Sequence, residues 1–319
     1  MVVDGLDIFS KKVVAICGGV GGAKLALGLQ QLLGPRLVVV VNVGDDFDHL
    51  GLRICPDLDT VIYTLARLSD ETRGWGRANE TWNFMRALRE LGGEDWFALG
   101  DQDLALHVER TRRLAAGESL TSIIDSIRRR LGIEATILPV TDDVLRTKVE
   151  TDVGILDFQR YFVEHRCAPR VRSISFEGAD RARVGRGVYG ALTSAELGAI
   201  VICPSNPYLS VDPILAVPEL RAALRARRVP AVAVSPIIGG QAVKGPTAKI
   251  MSELAIEANS LTIATHYSGL IDGLVIDESD AAEAASLPVV THVARTLMTD
   301  FASRVELARR TVAFATELG

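Results

Sequence analysis

Seven consecutive residues, Gly18-Gly-Val-Gly-Gly-Ala-Lys24, combine four glycines with a lysine. A glycine cluster between a strand and a helix aims backbone N–H groups and a helix N-terminus at an anion. Without Cβ atoms, Gly18, Gly19, Gly21 and Gly22 let the backbone come close to a phosphate, and Val20 lies among them. Lys24 adds a positive charge in the first helical turn. The spacing matches neither the dinucleotide fingerprint nor the P-loop. The alternative is a tight strand-to-helix turn that binds nothing.

Four aspartates follow within fifteen residues: Asp45 and Asp46 in Asn42-Val-Gly-Asp-Asp46, then Asp57 and Asp59 in Pro56-Asp-Leu-Asp-Thr60. Hard carboxylates beside a phosphate cradle suit Mg²⁺, which takes one or two protein carboxylates together with phosphate oxygens and water. Asp57 or Asp59 could instead cap the helix that follows. Two of the chain's three tryptophans, Trp75 and Trp82, lie in Gly74-Trp-Gly-Arg-Ala-Asn-Glu-Thr-Trp82, and Trp96 follows shortly after. That concentration suggests walls for a flat aromatic ligand. Lys244 and Lys249, flanking Gly245-Pro246, could meet phosphate or form a surface loop. His107 reads as a packing or supporting residue rather than a metal ligand.

These residues need elements to hold them. Val13–Cys17 is an apolar run without alternation, as in a parallel strand buried on both faces. Ala23–Leu33 then carries helical spacing. Leu37–Asn42, Ala199–Cys203 and Ala231–Ser235 repeat the apolar strand, ending in Asn42-Val-Gly-Asp-Asp46, Pro204-Ser-Asn-Pro-Tyr208 and Pro236-Ile-Ile-Gly-Gly240. Polar and glycine turns at the ends of several strands converge on one crevice in open α/β sheets. Further helices are expected over Val61–Leu68, Leu104–Ala115, Leu120–Leu131 and Asp300–Leu318. The runs Arg110, Arg112, Arg113 and Arg128–Arg130 read as solvated faces. Late strands are expected at Leu274–Ile276 and Val289–His292. Residues 133 to 190 differ: short β segments (Ile133–Val140, Val149–Phe158, Val171–Phe176) surround a helix near Phe158–His165. The fold expected is a single α/β domain over 1–319. It has a Rossmann-like, mostly parallel sheet with helices on both faces, and a smaller inserted α+β lobe at about 133–190 over the site.

A chain of 319 residues can bury about three quarters of its unfolded surface. The formal net charge of -5 argues against a general nucleic-acid binder. Cys17, Cys55, Cys167 and Cys203 lie too far apart for a zinc ribbon. No secretory leader or long apolar span is apparent, so a cytoplasmic protein without membrane contact is expected.

Beyond the glycine turn, the chain resembles the 2-phospho-L-lactate transferases of coenzyme F-420 biosynthesis nearly end to end. The shared stretches include Gly18–Lys24, Asn42–Asp46, Pro56–Thr60, Leu99-Gly-Asp101 and Pro204-Ser-Asn-Pro207. They continue through Pro213-Ile-Leu215, Val234–Gly240 and Val243-Lys-Gly-Pro246. Arg53–Thr60 and Arg73-Gly-Trp-Gly76 look most like the actinobacterial branch, described as phosphoenolpyruvate transferases. The resemblance implies a donor in which guanosine diphosphate carries phosphoenolpyruvate or phospholactate. It implies the acceptor Fo, 7,8-didemethyl-8-hydroxy-5-deazariboflavin, whose terminal ribityl hydroxyl attacks phosphorus while GMP leaves, with Mg²⁺ required. Carried over by motif, Asp59 lies nearest metal and acceptor hydroxyl, and Asp45 and Asp46 are the other ligands. Asp46 joins Asp59 as a catalytic residue. Ser205, Asn206 and Pro207 face the guanosine nucleotide, together with Asn42 and the glycine turn. The resemblance also implies a homodimer. Ala98 and Gln102 depart from the family, standing where some members carry basic residues.

A second reading is a UDP-sugar-binding regulator of carbon metabolism on a related fold, without transferase activity. The tryptophan-rich segment and Pro56–Thr60 weigh against it. An NAD-dependent oxidoreductase lacks its fingerprint here. The sequence leaves open whether the acid is phosphoenolpyruvate, phospholactate or 3-phosphoglycerate.

Overall fold

A computed structural model of the chain describes residues 10–242 and 247–319. Seven strands form its centre: β1 (Lys12–Cys17), β2 (Leu37–Val41), β3 (Thr136–Pro139), β4 (Leu197–Ile202), β5 (Ala231–Val234), β6 (Gly273–Asp277) and β7 (Val290–Ala294). Their order is β7-β6-β5-β4-β1-β2-β3, and every neighbouring pair is parallel. The chain winds outward from β1 to β3, returns to place β4 against the other side of β1, and continues to β7. Ala15 of β1 aligns with Val39 of β2 and with Val201 of β4. The order therefore reverses between β1 and β4, and ligands of doubly wound sheets bind outside the strand ends at such a reversal.

Every residue of β2, β4, β5 and β6 is buried. That requires helices over both faces of the sheet, and it explains why these strands are continuous Val/Ile/Ala runs. The helices that matter to the site are α1 (Gly19–Leu33), α2 (Pro56–Leu65), α3 (Asp101–Ala115), α4 (Leu120–Arg130) and α5 (Phe301–Leu318). Helix α1 packs against both α2 and α5. A Cβ at Gly28 would collide with the Arg304 carbonyl, so glycine sets how closely α1 and α5 approach. Asp300 opens α5 with a capping box shared with Ser303.

The middle of the chain departs from expectation in one respect. Thr136–Pro139 pairs with β2 as the edge strand of the central sheet and not as part of a lobe. The separate three-stranded antiparallel sheet is Arg146–Thr151 flanked by Gly154–Asp157 and Val171–Glu177. The helix expected near Phe158–His165 is a π-helical turn, Arg160–Glu164. This small sheet has its own core, in which Val149, Phe158, Tyr161 and Val171 pack against Leu209 and Ile250.

Candidate active site

The end of β1 leads into the glycine turn, and the turn lies against the loop after β4. Gly18 is extended and Gly19 has φ +64°, a left-handed backbone that glycine adopts at no steric cost. The helix begins here, four residues before the apolar periodicity suggests. The Gly18 N–H donates to Ser205 Oγ at 3.2 Å, and the Gly19 N–H donates to Asp57 Oδ1 at 2.7 Å. A Cβ at Gly21 would collide with the Pro204 carbonyl, and one at Gly22 with Ser205 Oγ. Close packing across the sheet reversal therefore demands these glycines before any ligand does. Gly21→Ala is expected to destabilise the fold by about 1–3 kcal/mol, because the obstructing atom is backbone. Urea unfolding checks this, and an unchanged midpoint would count against the packing reading.

A cavity of about 500 Å³ opens over the turn, lined by Gly18, Gly19, Val20, Gly21 and Lys24 but not by Gly22. The Lys24 Nζ donates to the Met298 carbonyl at 3.1 Å, linking α1 to the segment before α5.

The aspartates separate into three environments. Asn42 Nδ2 donates to Asp45 Oδ1 at 3.1 Å and to Asp57 Oδ2 at 2.9 Å, so one buried amide bridges two buried carboxyls on the cavity wall. Burial pushes Asp57 up to about 6, against the hydrogen bonds from Asn42 and Gly19. Burial, and then the Asp57 charge, raise Asp45 well above the usual carboxylate range. Asp46, expected as a catalytic group and metal ligand, is buried but absent from the cavity wall. Its Oδ1 has no hydrogen-bond partner, and burial raises it to about 7 despite help from Cys55 and Arg110. Asp59 lines the cavity, but both its oxygens are engaged: Arg110 Nη1 meets Oδ1 at 2.5 Å and Nη2 meets Oδ2 at 2.9 Å.

Arg110 corrects the reading of a solvated basic face on α3. It is fully buried, and its Nε also donates to the Arg53 carbonyl at 3.1 Å. Burial works against its charge, but the Asp59 carboxylate holds its pKa above the usual guanidinium range. His107 Nδ1 lies 2.7 Å from Arg110 Nη2, and its Nε2 lies 3.2 Å from Asp103 Oδ2. Tyr63 OH donates to Asp103 Oδ1 at 2.5 Å. Asp103, His107 and Arg110 share one helix face by their spacing of four and three residues. That spacing was the available signal, and the supporting role expected of His107 matches its place.

The aromatic lining is only partly the expected one. Trp75 reaches the cavity, while Trp82 and Trp96 do not; Tyr63, Phe97, Phe158 and Phe162 complete the wall. Phe158 and Phe162 stack with centroids 5.5 Å apart and planes 9° from parallel. Trp96 packs against Phe47, His49 and Phe97, under the Arg160 guanidinium.

Ser205 and Asn206 line the cavity, whereas Pro207 is buried at the start of the next turn. Asn206 Oδ1 accepts from the N–H groups of Tyr208 and Leu209, and its Nδ2 donates to Thr247 Oγ1 at 2.8 Å. Lys249, offered for phosphate, is tied to Glu253 at 2.6 Å and to the Pro169 carbonyl at 2.9 Å, away from the cavity wall. Lys244 lies outside the described residues. The second glycine turn is filled by the protein itself, since the Gly239 and Gly240 N–H groups donate to Asp280 at 3.0 and 2.9 Å. Ala98 lines the cavity; Gln102 does not, its Nε2 donating to the Asn79 carbonyl at 2.7 Å.

Among the described residues no helix is long and apolar enough to cross a membrane. A solved UPF0052-family protein from Bacillus halodurans superposes with a TM-score of 0.61 at 16% identity, covering 95% of this chain and 99% of that one. That likeness concerns the fold alone. A phosphoenolpyruvate transferase of Kitasatospora aureofaciens is 39% identical, over 96% of this chain and 98% of its own. One of Streptomyces griseus is 37% identical, over 96% and 99%. The family model for 2-phospho-L-lactate transferase CofD matches residues 13–315. The chain belongs to the 2-phospho-L-lactate transferase CofD family, a transferase family of coenzyme F-420 biosynthesis.

Proposed function

We propose that this enzyme, a cytoplasmic homodimer, moves a phosphoenolpyruvyl or 2-phospho-L-lactyl group from a guanosine-diphosphate-linked donor to the terminal ribityl hydroxyl of Fo. The observation that carries this reading is one cavity holding the glycine turn, two bridged carboxyls, the Arg110-held Asp59 and a wall of Tyr63, Trp75, Phe97, Phe158 and Phe162. The named relatives favour the phosphoenolpyruvyl donor. In the step, the acceptor oxygen bonds to the phosphorus nearer the acid, the bond to GMP breaks, and the hydroxyl proton leaves. Such a transfer needs positioning and charge neutralisation more than a covalent nucleophile. Asp59 accepts the acceptor hydroxyl's hydrogen bond, and Arg110 fixes its orientation. Trp75, Phe158 and Phe162 supply faces for the deazaflavin ring. Ser205 and Asn206 border the nucleotide.

Mg²⁺ is part of this proposal, and the donor set fits it. Asp45 and Asp57 are hard oxygen donors, buried side by side, each of their carboxyls held in a protonation-favouring site that a divalent cation would relieve. No three His, Cys, Asp or Glu side chains group as a metal cage among the described residues, consistent with an ion completed by phosphate oxygens and water. Bound there, Mg²⁺ would neutralise the phosphate charge. The expected set thus shifts from Asp45, Asp46 and Asp59 to Asp45 and Asp57, with Asp59 beside them.

A pH signature follows from these raised values. A group whose folded pKa exceeds its unfolded one stabilises the fold fully below the unfolded value, and loses that contribution as pH rises through the folded one. With Asp57 at about 6 and Asp46 at about 7, the metal-free protein should lose stability between about pH 4 and pH 7 from these groups. Mg²⁺ should therefore raise Tm more at pH 8 than at pH 5.5. Calorimetry at both pH values checks this, and an equal shift at both would contradict the carboxyl site.

The reading is tested by incubating the protein with Fo, Mg²⁺ and each of three guanosine-diphosphate-linked donors, bearing phosphoenolpyruvate, phospholactate or 3-phosphoglycerate. Mass spectrometry should find GMP and the phosphoenolpyruvyl product. Product from phospholactate alone would reassign the donor, and no product from any donor would sink the reading.

A further inference from the structure

A side chamber of about 110 Å³ adjoins the main cavity, sharing Val20, Lys24, Thr60, Tyr63 and Trp75 with it. It is about a fifth of the main cavity's volume, a size that suits a carboxylate on a short stem better than a nucleobase or a deazaflavin ring. Its wall carries Arg304 of α5, only 4% exposed. Arg304 Nη2 meets Glu71 Oε1 at 2.8 Å, while the buried Nε has no hydrogen-bond partner. A guanidinium presents Nε and Nη2 as one fork matched to the two oxygens of a carboxylate. Glu71 engages half of that fork, and its side chain is 65% exposed, so it can swing into water. A buried donor left unpaired is costly, and a carboxylate that took the place of Glu71 on Nη2 could satisfy Nε as well, as the two-point fork requires. The chamber's other acid, Asp70, is already committed to the Arg73 N–H at 2.8 Å and to Arg73 Nη2 at 3.2 Å.

We propose that this chamber receives the carboxylate of the three-carbon acid carried by the donor, with Arg304 as the residue that selects for it. The inference rests on the donor class proposed above. The phosphorus bearing the acid would lie at the glycine turn, and the acid would turn past Val20 and Lys24 into the chamber. Arg304 and Glu71 exchange partners as it enters.

Steady-state kinetics with the Mg²⁺-loaded enzyme test this, using the phosphoenolpyruvyl donor and an analogue in which the carboxylate is replaced by hydrogen. Arg304→Gln should raise the donor KM about tenfold or more, the scale of one charged hydrogen bond. It should leave the acceptor KM unchanged and erase discrimination against the analogue. Arg304→Lys should recover part of the loss. Glu71→Gln, which removes the competing carboxylate, should lower the donor KM, whereas loss of a merely structural ion pair would lower Tm and leave KM alone. If Arg304→Gln does not fold, Glu71→Gln decides, and an unchanged donor KM overturns the inference. A rise in acceptor KM instead of donor KM also overturns it. Wild-type enzyme silent with every acid-bearing donor would overturn the functional reading together with the inference.

Discussion

Turnover is expected to fall by about 10²-fold or more when Asp59 is replaced by asparagine, the scale of losing a positioned acid–base or electrostatic group. Sequence logic alone expects Tm to hold, because asparagine caps a helix about as well as aspartate. The structure changes that expectation. Asp59 is the bidentate partner of a fully buried arginine. An asparagine at this position would leave the guanidinium charge uncompensated and turn an amide N–H₂ toward it. Removing one partner of a buried pair costs about 3–5 kcal/mol, roughly a 4–7 °C loss in Tm for a chain of this size. Calorimetry and single-turnover kinetics on the same variant check both parts. Full turnover alongside the lower Tm would make Asp59 only the counter-ion of Arg110.

Arg110→Met should be as damaging to stability, again by about 3–5 kcal/mol, since it strands the Asp59 carboxylate in the same buried place. The combination of the two changes is the informative one. With neither charge present no buried charge of the pair is left uncompensated, so the double variant should recover part of the lost stability, the Arg53 carbonyl and His107 Nδ1 still lacking their Arg110 partner. Turnover should stay low, because the carboxylate proposed to face the acceptor hydroxyl is still missing. Urea unfolding of the two single variants, the double and the wild type closes the cycle. Strictly additive losses would show that the pair is not energetically coupled.

The central sheet was legible because β2, β4, β5 and β6 are buried throughout and are almost wholly apolar, Asp277 at the end of β6 being the exception. The glycine turn was legible as a turn, but its reason was not. Gly21 and Gly22 answer to Pro204 and Ser205, far along the chain, and no local pattern reports such a neighbour. Asp57 and Asp59 looked interchangeable in sequence, yet two residues along a helix turn the side chain by about 200°. Asp57 accordingly meets Gly19 while Asp59 meets α3. Arg110 was masked by Arg112 and Arg113, whose side chains pair with Glu109 and Glu118 at the surface. Its alignment with Asp103 and His107 was the only sequence trace of a buried role. Trp82 and Trp96 were counted with Trp75 by proximity; Trp82 does meet Trp75 edge-on but stays off the cavity wall, and Trp96 packs against Phe47, His49 and Phe97.

The Asp57 carboxylate resting on the Gly19 N–H would act as a filter on ambient anions. A bare orthophosphate or sulfate reaching the turn meets a neighbouring carboxyl of its own sign and must break a hydrogen bond already made. If Mg²⁺ binds Asp57 as proposed, a phosphodiester arriving with the cation would meet less of this barrier, because the cation would compete with the Gly19 N–H for the carboxylate.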